Sequence, residues 1–489
     1  MSTAVLSGGA ALFAVFFAGG VCFGASLDGG TDDVDGKGAE GTGDLDGMDA
    51  GVMDSDVNEI AGENSDDDWG DDAVWSESTG GFDTGAALSK IGVRIHGVFE
   101  DQLQGMWLRD GDDNEGMVNN YTKLRVDVDA DLAGGMAFRS DGVARIFAGD
   151  TDISLRYLIP EGTRKALLSA DPRWAPALDE AYRYENDYYL DNAYLKVPVG
   201  PLTFVVGKQP LEQGVGYAWN PTDVFTKKDL FDPTYEKPGI IAFRATAALG
   251  ERVTLDAVAV PKSDFKSWVG GGRLSVTAGP IRLSAAAYVT RVQAEDVSGS
   301  MDAMIDTEMA GGDPESAILT YKGRRVLIGG EALADIEGVR LWTEGAYNVI
   351  EDKAGLPDDY LEIVGGVEYF FETETHVMAE YLHYGKGPHQ KGGVYSYNDW
   401  MAVLAYTYKM LGQDFLFESI DQPVADFWII GLSSFQSLSD ASAAVMGDVR
   451  WQFREDAELW LLVSYAVGEP DDFFSSARGQ GWLRLTAFF

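Results

Sequence analysis

Cysteine and histidine are nearly absent from this sequence. Cys22 is the single cysteine among 489 residues, which excludes an internal disulfide and a Cys-based metal or haem site. No serine and acid pattern typical of a hydrolase surrounds the four histidines, His96, His376, His383 and His389. The sequence therefore predicts neither an enzyme nor a bound cofactor.

Basic residues are also scarce. The chain has 37 Lys and Arg against 79 Asp and Glu, a net charge of −42. Nucleic-acid binding needs a basic patch, and none is visible. We therefore expect no nucleic-acid partner.

Long apolar runs are missing after residue 25. Residues 4–25 are apolar and end in small residues, which predicts a signal peptide over residues 1–25. A membrane anchor is the alternative, and Cys22 could carry a lipid, although Val21 before it is a poor residue for that signal. No later stretch reaches the ~20 apolar residues of a spanning helix. An exported chain without such a helix is either a soluble secreted protein or an outer-membrane barrel.

Residues 26–89 carry 19 acidic residues and a single lysine. A segment of this composition cannot bury enough apolar surface to fold. It predicts a disordered acidic periplasmic leader, a solvated spacer rather than a cation-binding element.

Residues 90–489 alternate apolar and polar side chains with a period of two. In "KLRVDVDADL", Leu124, Val126 and Val128 share one face, and Arg125 and Asp127 share the other. This period is that of β-strands with one apolar face. The fold class is therefore all-β.

Three features favour a transmembrane antiparallel barrel over a soluble sandwich. The strands are longer than the ~5–6 residues usual in globular proteins. Tight turns alternate with long polar loops, the first of them near residues 109–119. Aromatic residues lie near strand ends and predict interfacial girdles; they are Trp107, Tyr157, Tyr188, Tyr189, Trp400, Phe427, Trp428 and Trp482.

We place about 18 strands, within a range of 16–20, and residues 410–427 are the least clear. An even strand number puts both termini on the periplasmic face of the outer membrane. The last strand must then pair with the first, since lipid cannot satisfy an open edge. Phe489, with apolar residues at every second position before it, resembles the signal read by the barrel-insertion machinery.

The polar strand faces supply candidate residues for a pore lining. They hold seven arginines and eleven acids, which predicts a mixed or mildly cation-preferring lumen, or a wall of ion pairs. The pore-lining candidates are Arg125, Asp127, Asp129, Arg244, Asp256, Arg282, Arg340, Glu344, Glu362, Glu368, Glu380, Asp448, Arg450 and Arg484.

The loop over residues 207–239, "GKQPLEQGVGYAWNPTDVFTKKDLFDPTYEKPG", is the most distinctive. It is rich in aromatic residues, so we predict that it folds into the lumen rather than packing outside. The stretch resembles the alginate-export-like and related porin-like outer-membrane proteins, with Lys208 in place of the usual arginine. The matching positions are Gly207, Lys208, Gln209, Gly214, Gly216, Asn220, Pro221, Asp223 and Phe225. The resemblance implies an 18-stranded barrel that carries polar or anionic solutes, while the acidic wall argues against dedicated alginate export.

Two other loops carry weaker patterns. "RDGDDNEG" offers Asp110, Asp112, Asp113 and Glu115 as calcium ligands, but it lacks the full calcium-loop pattern and a plain acidic loop is favoured. Residues 161–187 carry a short amphipathic helical pattern, typical of a surface or plug element.

Together these patterns predict an outer-membrane channel for small polar or charged solutes. The alternatives are a barrel sheath that holds a partner, such as an electron-transfer protein, or a polysaccharide export conduit. The expected partners are outer-membrane lipid and the insertion machinery, with a homo-trimer or a protein in the lumen left open.

Overall fold

The computed structural model describes residues 92–110, 113–179, 181–226, 238–261, 268–351, 354–404, 407–474 and 477–489. The predicted signal peptide, Cys22 and the acidic leader lie outside the described residues.

The chain forms a closed 18-stranded antiparallel barrel, which confirms the predicted fold class and strand number. Two further short strands, β4 and β5, pair only with each other. The strands are β1 Val93–Asp110, β2 Asp113–Asp131, β3 Ala137–Gly149, β4 Asp152–Ser154, β5 Ala181–Arg183, β6 Asp187–Val199, β7 Leu202–Gln209, β8 Ile240–Ala248, β9 Val253–Pro261, β10 Trp268–Ala278, β11 Ile281–Asp296, β12 Leu319–Ile336, β13 Val339–Ile350, β14 Tyr360–Phe370, β15 His376–Tyr384, β16 Asp414–Ala425, β17 Trp428–Ser437, β18 Ser442–Arg454, β19 Ala457–Val467 and β20 Ala477–Phe488.

The barrel closes between its first and last strands. The β1–β20 ladder runs from Val98 opposite Phe488 to Leu108 opposite Ala477. The Gly97 amide donates to the Phe489 carbonyl at 2.7 Å, and the Phe489 amide donates to the Gly97 carbonyl at 3.0 Å. No strand edge is left open at this seam.

One edge of the barrel has short connections and the other has longer ones. Eight short connections occupy the first edge, at residues 132–136, 200–201, 249–252, 279–280, 337–338, 371–375, 426–427 and 455–456. The prediction of a long loop near 109–119 is wrong, because β1 and β2 pair up to Asp110 opposite Asp113. The backbone pairing continues through Arg109 opposite Asn114.

Helices lie in the longer connections at the second edge. They are α1 Leu155–Leu158, α2 Glu161–Ala170, α3 Ala175–Leu178, α4 Met301–Met309 and α5 Tyr397–Leu404. The α2 helix falls within the helical pattern predicted over residues 161–187. None of the helices in the described ranges is long and apolar enough to cross a membrane.

The outer surface of the barrel is apolar. On β1, Ile95, Phe99, Leu103 and Trp107 are exposed on one face, and exposed apolar residues likewise share one face of the other strands. In water such a surface would be strongly unfavourable. Of the predicted girdle residues, Trp107, Tyr188, Phe427 and Trp428 are exposed.

For two of the predicted girdle residues the prediction is wrong, because they are buried. Trp400 and Trp482 are 0% and 1% exposed, and both pack on the inner side of the molecule. Trp400 lies on α5, where it contacts Phe473, and Trp482 packs against Trp460. A strand-end position alone does not tell on which face an aromatic ring lies.

Candidate functional site

The inner wall of the barrel carries polar and charged side chains. Gln102 and Gln104 of β1 are buried, whereas Leu103 between them is exposed on the outside. The same alternation places the fourteen pore-lining candidates on the strand faces opposite to the exposed apolar residues.

Most of these candidates are held in ion pairs with other residues of the inner wall or of a connection. The Nη2 atom of Arg125 lies 2.5 Å from Asp141, and its Nε atom lies 2.7 Å from Asp127. The other pairs are Asp129–Arg139, Arg244–Asp256, Arg340–Glu368, Arg450–Asp448, Arg450–Asp421 and Glu362–Lys409. Arg484 instead donates to Gln102 at 2.8 Å. The charges of the wall therefore compensate each other locally.

Several of these partners were not among the sequence candidates. Arg139, Asp141 and Asp421 lie on strand faces whose alternation is weakened by glycine, serine or proline. Lys409 lies in a connection, outside any strand. Opposite charge at a matching cross-strand position was the signal that could have found Arg139, which lies opposite Asp129, but it needs the register.

Residues 210–226 lie against the inner wall; we call them the inner segment. Its backbone amides point at two buried carboxylates. Glu344 of β13 accepts from the amides of Val215, Gly216 and Thr222 at 2.8, 3.3 and 2.5 Å. The Thr222 hydroxyl also donates to Glu331 of β12 at 2.9 Å.

Glu380 of β15 forms the second attachment. Its carboxylate accepts from the amides of Tyr217, Ala218 and Trp219 at 2.6, 2.9 and 2.9 Å. The Trp342 indole donates to the same carboxylate at 2.5 Å. Both carboxylates are almost fully buried, so several charge-assisted donors are what stabilises each of them there.

Glycine is required where the inner segment approaches Glu344. Gly214 has φ +100°, and a Cβ atom there would lie 2.6 Å from the Glu344 carboxylate. A Cβ atom on Gly216 would lie 1.9 Å from the Trp219 carbonyl oxygen. The Gly-Val-Gly sequence thus allows the backbone to turn its amides towards the wall.

The rest of the loop motif shapes the inner segment. Asn220 donates to the Gln213 carbonyl at 2.8 Å, and Asp223 accepts from the Phe225 and Thr226 amides at 3.0 and 3.1 Å. Pro221 is buried beside these residues, and the Phe225 ring packs edge-on to Tyr288 of β11.

The first three motif positions lie on β7. Gln209 donates to the Ala242 carbonyl at 3.0 Å, and Lys208 donates to the Leu190 carbonyl at 2.7 Å. Gly207 has φ +126°, with a Cβ position only 2.3 Å from the Ala193 carbonyl oxygen. These residues join β7 to its neighbours. Residues 227–237 of the predicted inward loop lie outside the described residues.

Four long connections pack together above the inner segment; we call their described residues the cap. They join β3 to β6, β11 to β12, β15 to β16 and β19 to β20. The Gly162 amide donates to Asp471 at 2.6 Å, and the Thr163 hydroxyl donates to the Tyr395 carbonyl at 2.8 Å. The Ser298 amide donates to the Asn398 side chain at 3.0 Å.

An aromatic core joins the cap to the inner segment. Trp219 packs against Phe415 of β16 and Phe435 of β17, and Phe415 packs against Phe473 of the cap. Trp400 in turn packs against Phe473. The cap and the inner segment therefore form one continuous buried cluster.

A group of three cations near the cap was also missed by the sequence reasoning. Lys386 donates to the Thr407 carbonyl, and its ammonium lies 5.2 Å from the Tyr408 ring centre. Lys409 lies 2.5 Å from Glu362, and Arg325 donates to Tyr360 at 3.3 Å. Burial first, and then the charge of Arg325, lower the pKa of Lys386 to about 7.

The calcium prediction is only partly covered by the structure. The side chains of Asp110, Asp112 and Asp113 lie outside the described residues. Glu115 accepts a hydrogen bond from the Tyr157 hydroxyl. The described residues contain no group of three or more potential metal ligands.

No protein-family model and no curated protein matches this chain. The resemblance to alginate-export-like proteins therefore stays a prediction. Solved structures with similar folds include a BenF-like porin from Pseudomonas fluorescens Pf-5, at 8% identity and a TM-score of 0.48, covering 81% of this chain and 98% of the porin.

Two further similar structures are OccK11 of Pseudomonas aeruginosa and OprB of Pseudomonas putida. OccK11 is 10% identical with a TM-score of 0.46, covering 81% of this chain and 96% of OccK11. OprB is 10% identical with a TM-score of 0.42, covering 83% of this chain and 96% of OprB. Likenesses this distant carry no argument about function.

Proposed function

We propose that this protein is an outer-membrane channel for small polar or charged solutes. The observation that carries the proposal is the contrast between the two faces of a closed barrel. The outer face is apolar, as lipid contact requires, whereas the inner face is lined with ion pairs and buried carboxylates. A polar lumen inside an apolar wall is the arrangement that a water-filled path across a membrane needs.

The inner segment sets the size of the path in this proposal. It contacts residues from β11 to β17, so it covers a large part of the wall. The solute path then lies beside the inner segment, along β1–β3 and β18–β20. That wall carries Arg125, Asp127 and Arg450. Their ion pairs keep it polar and leave little net charge.

The sheath and the polysaccharide conduit are less well supported. A partner protein in the lumen would compete for the space that the inner segment and the cap occupy. A wide conduit for a polysaccharide would likewise have to pass the inner segment, which Glu344 and Glu380 hold against the wall.

The test is single-channel recording in planar bilayers with purified, refolded protein. We expect small discrete conductance steps and a reversal potential, in a salt gradient, close to zero or mildly cation-selective. A heat-unfolded sample of the same preparation is the control. Absence of steps would overturn the channel, and strong anion selectivity would overturn the assignment of the lumen. Stoichiometric co-purification of a second protein, without conductance, would support the sheath instead.

A further inference from the structure

Three cations lie together on the outer face of the barrel; we call them the outer basic patch. They are Arg291 of β11 with Lys322 and Arg324 of β12. Arg291 lies directly opposite Arg324 in the β11–β12 ladder, and Gln293 lies opposite Lys322. The three cationic side chains thus occupy three corners of one four-residue square on a single sheet face.

The patch faces away from the lumen. Arg291 shares the exposed face of β11 with Leu283. Lys322 and Arg324 share the exposed face of β12 with Ile328. It also lies at the edge of the apolar surface. At their other ends, β11 follows the short turn 279–280 and β12 leads into the short turn 337–338. The patch is therefore at the edge of the long connections.

Opposite charge does not account for this arrangement. Arg324 has one exposed carboxylate neighbour, Glu351, at 3.4 Å, and Glu295 is engaged by Gln293 at 2.7 Å. Within the described parts of the chain, no carboxylate pairs with Arg291 or Lys322. Like charges directly across a ladder are destabilising. A chain of net charge −42 has ample acids with which such a pair could have been compensated.

A bound anion would account for the patch. Two opposed guanidinium groups, each a planar fork of donors, match the oxygen atoms of a phosphate group. The apolar side chains Val289, Val326 and Ile328 lie directly next to the patch along the same strands, and they suit acyl chains. The combination of phosphate donors above an apolar surface is the chemistry of a phospholipid or phosphorylated glycolipid at the membrane interface.

We propose that the outer basic patch binds the phosphate groups of a phosphorylated glycolipid in the membrane leaflet at the long-connection edge. The inference rests on the proposed membrane location but not on solute passage. Arg291 and Arg324 clamp one phosphate between them, and Lys322 adds a point charge from the side. The acyl chains lie on the apolar surface below.

The test is a lipid titration of the full-length folded barrel in detergent, with bound lipid counted by native mass spectrometry. The probes are a bisphosphorylated glycolipid, the same lipid without its phosphates, and inorganic phosphate alone. The test variant is Arg291→Gln with Arg324→Gln. The matched control is Arg252→Gln, which removes an exposed arginine from a short turn at the opposite edge.

We expect the wild-type barrel to retain the bisphosphorylated lipid over its dephosphorylated form. The double variant should lose about tenfold in affinity, and the control variant should lose none. Equal binding by the double variant, an equal loss in the control, or equal binding of the dephosphorylated lipid would each overturn the proposal. Inorganic phosphate that binds as tightly as the lipid would show a solute site instead.

Single-channel conductance of the same variants separates this proposal from the proposed function. The patch lies outside the lumen, so loss of lipid binding with unchanged conductance is the expected result. If the wild-type barrel shows no conductance but binds the lipid, the proposed channel is wrong and the proposed lipid site still holds.

Discussion

Single carboxylates hold the inner segment in place. Glu344 and Glu380 each accept from several backbone amides, so one side chain fixes several residues of a segment without regular secondary structure of its own. A neutral side chain of the same shape would keep the volume and lose the charge-assisted bonds, which are roughly twice as strong as neutral ones. The position of the segment, and with it the width of the proposed path, thus depends on a few buried charges.

The variant Glu380→Gln is expected to loosen the inner segment. The amide can accept at one oxygen only, so its NH₂ group would face either the Tyr217 amide or the amides of Ala218 and Trp219. We expect larger or noisier conductance steps in planar bilayers. Glu458→Gln is the control, since it removes the same charge from a wall position on β19. Identical recordings from both variants would contradict an attachment role for Glu380.

Gly214 tests the same contact from the other side. An alanine there takes a left-handed conformation at φ +100° and meets the Glu344 carboxylate, which we expect to cost about 1–3 kcal/mol. Gly365→Ala on β14 is a matched control, because no heavy atom lies within 4 Å of its Cβ position. The measurement is the midpoint of thermal unfolding, followed by the gel shift between folded and unfolded barrel. A Gly214→Ala midpoint equal to that of the control would refute the close approach.

At the scale of elements, strand alternation predicted the barrel well. The period of two, the tight turns and the closing strand all follow from residues that are local in sequence, and the 18-stranded sheet bears them out. The hairpin at Asp110–Asp113 escaped prediction because charged residues there look like a loop. Trp400 was misassigned because its burial depends on contacts between distant connections, which no local pattern encodes.

The inner wall could be predicted only in part from the sequence. Alternation gave the inward faces of Arg125, Arg244 and Glu380. It could not give their partners, because the Arg125–Asp141 pair and the Glu380 bonds to the inner segment join residues far apart in the chain. Register and loop packing decide those contacts.

The connection between β15 and β16 is expected to respond to pH through Lys386. Arg325 and Lys409 oppose the charge of Lys386, Glu362 favours it, and the ammonium lies near the rings of Tyr360 and Tyr408. Because its pKa of about 7 in the folded chain is below its ordinary value of 10.5, the unfolded chain binds the proton more tightly between these values. Stability of this connection should therefore rise from pH 7 towards pH 10.5 and be lowest below pH 7.

Limited proteolysis at several pH values measures this effect. We expect slower cleavage within residues 385–413 at pH 9 than at pH 6, with the protease rate corrected on an unfolded substrate. In Lys386→Met the difference should vanish. Lys165→Met on α2 is the control, since Lys165 is exposed and its ion-pair partner within the described ranges is Glu161 of the same helix. The same pH dependence in Lys386→Met would assign it to another group.

At the scale of the whole molecule, stability and assembly depend on closing one seam. The other strand pairs form between neighbours in the chain, but β1 and β20 meet only after the whole sheet has curved round. A closed barrel has no unpaired edge to expose to lipid. The contacts that complete the seam, at Gly97 and Phe489, should therefore affect assembly more than solute passage.

Gly97 lies where β1 receives the end of the chain. A Cβ atom there would lie 2.6 Å from Cζ of the Phe489 ring and 2.4 Å from the Arg125 carbonyl oxygen. Gly97→Leu should therefore block the final hydrogen bonds of the seam and lower the yield of folded barrel in detergent, measured by the heat-dependent gel shift. Gly447→Leu is the control for added bulk, because Gly447 lies on the outer face of β18 and has no heavy atom within 4 Å of its Cβ position.

A double variant tests whether the terminal ring causes the clash. Phe489→Ala removes that ring, so Gly97→Leu combined with Phe489→Ala should recover part of the yield if the clash is the cause. Failure of that rescue, with full folding of Phe489→Ala alone, would mean that the Arg125 carbonyl contact rather than the terminal ring excludes a side chain at residue 97.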